Sequence, residues 1–171
     1  MKTSINPFQS KRLLILAVFM FFMTNFSFGQ SFAYKTLLSG LYDNEFPVLA
    51  PNEISDLSNF QILDTREKEE YEVSHIEGAQ WVGFDTFDFD KIDSLDKEKP
   101  VLVYCTVGAR SQEIGKKLQE NGFKKVFNLY GGIIQWSNDE KPLYHEGLTT
   151  KKVHTYSKAW GIWLTKGEKV Y

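Results

Sequence analysis

The chain has 171 residues, 42% hydrophobic and 25% charged, with a formal net charge of −2. That length suits one domain with an adequate core, and the slight acidity excludes the basic profile of a nucleic-acid or anionic-membrane binder. Its single cysteine excludes an internal disulfide framework.

In chain order, residues 1–29 read as a cleavable export signal. Lys2, Lys11 and Arg12 form a basic start, and Leu13 to Met23 is an apolar run too short to span a bilayer comfortably. Ser27 and Gly29 place small residues where a signal peptidase reads, so the mature chain is expected to begin near Gln30. No cysteine follows for a lipid anchor. Without those three basic residues the formal charge moves from −2 to −5. The expected location is periplasmic or secreted, with no stable membrane insertion after cleavage and no nucleic-acid partner.

Residues 30–50 form a lead-in, helical from about Ser31 to Phe46, with Phe32, Tyr34, Leu37, Leu38 and Leu41 available for docking. Pro51 opens a small helix in its first turn. Gln61 to Asp64 is a short buried strand, and two readings stand for the residues at its end. In one, Asp64 caps the next turn and Arg66 pairs with Glu70 or Glu67. In the other, Arg66 faces a pocket and holds an anionic substrate. His75, ahead of Gly78-Ala79, reads as a scaffold residue. Ala79 to Val82 is the next strand, with Trp81 in or beside the core. The acidic stretch from Gly83 to Lys99 lacks the glycine and terminal glutamate of a calcium loop and reads as a solvated crossover.

Val101-Leu102-Val103-Tyr104 is a continuous apolar run behind Pro100, the pattern of a central parallel strand buried on both faces. Cys105 follows directly, and then Gly108, Arg110 and a helix from Ser111 to Asn121. Between a strand end and a helix start, loop N–H groups and the positive helix end stabilise an anion, a thiolate included. The bland alternative is a buried cysteine acting as a small hydrophobe; Gly108 and Arg110 favour chemistry. With one cysteine in the chain, Cys105 has no resolving partner of its own. Val126 to Leu129 is the last parallel strand, and Tyr130-Gly131-Gly132 brings the backbone close before a helix from Ile133 to Asn138. Residues 146–171 form an extension rich in aromatics and lysines, read as a tail docking Tyr156, Trp160, Trp163 and Tyr171, or as a flap for a partner. The core is expected to include Ile62, Leu63, Val101, Leu102, Val103, Ile114, Leu118, Val126, Phe127 and Trp136.

Cys105-Thr106-Val107-Gly108-Ala109-Arg110-Ser111 resembles the active-site loop of the rhodanese family. Three further segments fit in order: Leu63-Asp64-Thr65-Arg66-Glu67 with Glu70-Tyr71, Ser74-His75-Ile76-Glu77-Gly78-Ala79, and Leu129-Tyr130-Gly131-Gly132 with Trp136. The resemblance implies a rhodanese-like domain over 51–145, an α/β three-layer fold with a five-stranded, mainly parallel sheet between helices. It implies a sulfurtransferase with Cys105 as nucleophile, needing no metal or cofactor. The loop from Thr106 to Ser111 would bind a small anionic sulfur donor such as thiosulfate, with Arg110 and Arg66 assisting, and a thiol or cyanide would accept the sulfur. A protein acceptor stays open, as does a non-enzymatic binding or redox-sensing module. Cysteine-loop phosphatases and arsenate reductases place five residues between cysteine and arginine; here there are four. Thr106 and Val107 are neutral where good thiosulfate users often carry a basic residue.

Overall fold

The computed structural model describes residues 32–171. The export signal expected over 1–29 lies outside those residues. No helix among them is long and apolar enough to cross a membrane.

A helix over 32–41 (α1) leads in, with Leu38 buried. Five parallel strands follow: β1 (Val48–Leu49), β2 (Gln61–Asp64), β3 (Gln80–Trp81), β4 (Val101–Tyr104) and β5 (Val126–Leu129). Their spatial order is β1-β5-β4-β2-β3, which puts β4 in the centre. All four of its residues are buried, as the unbroken apolar run requires. Its pairing is fixed by Ile62 opposite Leu102 and Leu63 opposite Val103 on one side, and Val101 opposite Val126 on the other.

The helices are α2 (Lys68–Val73), α3 (Ala109–Glu120), α4 (Gly132–Asn138) and α5 (Lys158–Gly161). Because alternate strand residues face opposite sides, Val101 and Val103 join Leu63, Ile114 and Leu118 of α3 in one apolar cluster, closed by Phe46, Phe123 and Val126. Leu102, Ile62 and Trp136 are buried as well. Phe127 departs from the expected core: it is half-buried, its ring set edge-on to Phe60 at 6.3 Å. The acidic crossover is a chain of turns around a short 3-10 helix, Phe89–Ile92, capped by the Asp88 carboxylate.

The extension is more ordered than a tail. β6 (Leu143–His145) and β7 (Leu148–Thr150) form an antiparallel hairpin, while β8 (Lys152–His154) and β9 (Glu168–Val170) pair in parallel. Side chains at the end of α4 fasten it: Ser137 Oγ donates to Lys166 O at 2.7 Å, and Asn138 Nδ2 to Trp163 O at 2.9 Å. On the α2 side Ser74 Oγ donates to Lys152 O at 2.6 Å.

Candidate active site

Cys105 stands immediately past the carboxyl end of β4, where an open parallel sheet presents its ligands. The next helix, α3, begins after Gly108, whose φ of 100° turns the chain inward. An added Cβ at Gly108 would collide with the Tyr42 hydroxyl. Gly108 N–H donates to Cys105 Sγ at 3.1 Å. The thiol thus sits beside a backbone donor at the positive end of a twelve-residue helix. Its residue is almost wholly buried, 1% exposed, which shelters a lone thiol from bulk oxidant.

Three supports shape the loop from outside it. Tyr42 O–H donates to Val107 O at 2.6 Å and accepts from Gly131 N–H at 2.7 Å, and burial pushes its phenol far above the ordinary range. Asn128 of β5 donates to Gly108 O at 2.9 Å and takes the Ser111 hydroxyl at 2.7 Å. From α4, Ile133 N–H donates to Cys105 O at 2.9 Å. That approach needs Gly132 at φ 55°, since a Cβ there would run into Cys105 O and the Thr106 backbone. Gly132→Ala is accordingly expected to cost ~1–3 kcal/mol and to displace the loop. Thermal melts read the first effect, and alkylation rate of Cys105 reads the second.

Arg110 is held by carboxylates instead of lying open. Its Nη1 is 2.9 Å from Glu70 Oε2 and 3.8 Å from Glu67 Oε1, and its Nη2 donates to Glu70 Oε1 at 3.0 Å and Thr106 Oγ1 at 2.9 Å. Thr106 Oγ1 also donates to Glu70 at 2.8 Å. Burial lowers the basicity of Arg110, but the bonds to Glu70 and the neighbouring Cys105 sulfur outweigh it and raise it. Burial pushes the Glu70 carboxyl up, whereas Arg110, Arg66 and the Thr106 hydroxyl pull it further down, leaving it below the usual range.

Of the residues expected to bind substrate, the structure gathers Thr106, Val107, Ala109 and Arg110 with Cys105 around a cavity of about 190 Å³. Gly108 contributes its N–H, and Ser111 turns its hydroxyl away to Asn128. Arg66 does not reach this cavity wall. It is wholly buried with Asp64, its Nε and Nη2 donating to that carboxylate at 3.0 and 2.5 Å and its Nη2 to Ser74 O at 2.6 Å. The pairing expected with Glu70 or Glu67 belongs to Arg110 instead. Asp64 also caps the turn by accepting Arg66 N–H at 3.0 Å. His75 is scaffold: its backbone pairs with Tyr144 at 2.9 Å and its ring stacks on Tyr71 at 4.1 Å.

The remaining wall comes from the extension. Tyr156 and Trp160 line the cavity, with the Tyr156 ring 5.0 Å from the Arg110 guanidinium. Tyr156 holds a left-handed φ of 65°, and its N–H donates to His154 Nδ1 at 3.2 Å. Burial holds His154 below its ordinary value, against the pull of Glu70 at 4.0 Å. Sequence reasoning placed aromatics here without placing them at Cys105, because three-residue strands leave no periodicity to read.

Two acid losses of stability follow. Protonating His154 favours the unfolded chain, so its contribution is complete above the ordinary histidine value of 6.5 and lost as pH falls through the lower native value. Glu70 contributes fully above the ordinary glutamate value of 4.5, and that contribution is lost as pH falls through its own depressed value. Melting temperature followed from pH 7 downward should decline in two stages; His154→Gln should remove the upper one and Glu70→Gln should shrink the lower, to which Asp43 and Asp56 also contribute.

A profile of the Rhodanese-like domain family matches residues 50–139. Among curated proteins, a tRNA uridine(34) hydroxylase of Yersinia enterocolitica is 38% identical over 105 residues, 58% of this chain and 29% of that protein. The chain therefore spans under a third of the length of such relatives. Among solved structures, a thiosulfate sulfurtransferase from Pseudomonas aeruginosa superposes with a TM-score of 0.53 at 28% identity, over 61% of this chain and 21% of that one. The BH2092 protein from Bacillus halodurans shares the fold with a TM-score of 0.54 at 23% identity, over 67% of this chain and 85% of that one.

Proposed function

The chain belongs to the rhodanese-like domain family, and from that membership we propose that it is a sulfurtransferase working through a persulfide on Cys105. The observation that carries the reading is the Cys105 thiol beside Gly108 N–H at a helix start, on the wall of a small cavity. With thiosulfate as donor, the Cys105 thiolate attacks the outer sulfur, the S–S bond breaks, and sulfite leaves with its electron pair. The persulfide on Cys105 then meets a nucleophilic acceptor, a thiol or cyanide, which bonds the outer sulfur and releases the thiolate. Gly108 N–H and the start of α3 stabilise the sulfur charge in both states. Arg110, bound to Glu70, keeps the loop in shape and lies next to the reacting sulfur. Arg66 acts only by supporting the strand end.

The intact mass of the protein after incubation with thiosulfate tests this. One added sulfur, removed by cyanide as thiocyanate, is expected; a mass left unchanged by thiosulfate and by an organic thiosulfonate alike overturns it. Sulfur found on Cys105 only in a complex with another protein would favour a binding or sensing module. Aryl phosphate turnover is expected to be absent, since four residues between Cys105 and Arg110 make a ring too tight for a phosphate. The name of the Yersinia relatives points to tRNA; the net charge of −2 counts against that substrate here. Export belongs to the same proposal, supported by the basic, apolar and small-residue pattern of residues 1–29. N-terminal sequencing of the mature protein should begin near Gln30.

A further inference from the structure

The cavity offers little free positive charge to a doubly charged donor. Among the described residues lining it, Arg110 is the one that carries a formal positive charge. That guanidinium is already matched by Glu70 at 2.9 Å and approached by Glu67 at 3.8 Å. Its side chain is 20% exposed, with the ring of Tyr156 set over it at 5.0 Å. Glu70 and Glu67 lie outside the cavity lining but engage the Arg110 charge, so an incoming dianion gains less from it than from a free guanidinium.

The walls favour something else. Tyr156 and Trp160 bring two ring systems to a cavity of about 190 Å³, smaller than the roughly 300–1,000 Å³ of ordinary ligand pockets. Such a space takes the reacting end of a donor and leaves its body against the aromatic rim. Tyr156 is 56% exposed, so a large part of its surface is open to solvent. It is also held in the left-handed region, which a residue with a bulky side chain seldom adopts and which persists only where surroundings enforce it. His154 Nδ1 and the Thr155 N–H bond to Val170 O at 3.0 Å supply that enforcement.

We propose that Tyr156 and Trp160 are specificity-determining residues that select a sulfane donor of low charge with an apolar or aromatic body over the thiosulfate dianion. This rests on the sulfurtransferase reading of Cys105. Organic thiosulfonates and persulfides form the chemical class. With an aryl thiosulfonate, the Cys105 thiolate bonds the terminal sulfur, the bond between that sulfur and the sulfonyl sulfur breaks, and the aryl sulfinate leaves with the electron pair. Charge is conserved: thiolate and thiosulfonate, both singly negative, become a persulfide anion and a sulfinate anion.

The experiment compares kcat/KM of the full chain for benzenethiosulfonate, methanethiosulfonate and thiosulfate, with cyanide as acceptor. The first two carry equal charge and differ only in the body. The ring should give about tenfold over the methyl compound, the scale of one aromatic pair, and thiosulfate should rank last. Tyr156→Asn keeps a residue that tolerates the left-handed turn while removing the ring, and Trp160→Leu keeps apolar bulk; in either, the ring-to-methyl ratio should fall towards one. Tyr156→Phe should retain the ratio. A wild-type ratio near one, thiosulfate ranking first, or a ratio unchanged in both variants overturns the selectivity while leaving sulfur transfer standing. If none of the three donors adds sulfur to Cys105 by mass, sulfur transfer and selectivity fall together.

Discussion

Cys105→Ser is expected to remove sulfur loading altogether and to lower transfer by on the order of 10⁴-fold or more, as loss of a nucleophile does. The fold should survive. A hydroxyl occupies less room than the thiol in a site that is 1% exposed, and it can accept the same Gly108 N–H. The stability change should stay within about 1 kcal/mol, the ordinary scale of a single substitution. Intact mass after donor treatment and a thermal melt of the same sample separate the two effects. A variant that still gains sulfur would place the acceptor atom elsewhere, which a chain with one cysteine makes a clear result.

Arg66→Met is expected to have the largest effect on the fold. It leaves the Asp64 carboxylate wholly buried without the guanidinium that now binds both its oxygens. The Ser74 carbonyl loses its donor as well. Breaking such a pair from one side costs ~3–5 kcal/mol, which for a domain of this size lowers Tm by on the order of 10–15 °C. Replacing both partners by apolar residues, Arg66→Met with Asp64→Leu, should recover part of that loss, because no charge remains stranded. If Arg66 instead served the donor, the single variant would melt normally and show only a raised KM.

The centre of the sheet was legible because its residues leave no alternative. Four apolar residues from Val101 to Tyr104 have no polar face to expose, so helices must cover both sides. The placement of Cys105 followed from that strand and from Gly108, and the glycine pair before Ile133 announced a close backbone approach that Gly132 makes. Phe127 departs from the expected core although the other three residues of β5 are buried: its ring lies against Phe60, edge-on, at a face left partly open. Arg66 was ambiguous for a physical reason: Asp64, Glu67 and Glu70 all lie within four residues, and sequence spacing does not say which carboxylate is buried beside it. Tyr42 gives no signal in the sequence, and Tyr156 reads only as one aromatic of a docking extension, not as a neighbour of Cys105. Each reaches the loop from more than 40 positions away through a contact that leaves no local pattern.

Those two tyrosines bear on how the protein can be divided. The family segment runs from 50 to 139, yet Tyr42 precedes it and Tyr156 follows it. A fragment cut at those limits would keep Cys105, Gly108 and Arg110 but lose the hydroxyl that joins Val107 to Gly131 and the ring over Arg110. It would also lack β1, the edge strand bonded to β5. Grafting only the loop sequence into another rhodanese-like scaffold would meet the same shortfall. The working unit is therefore longer at both ends than the stretch by which the chain is recognised.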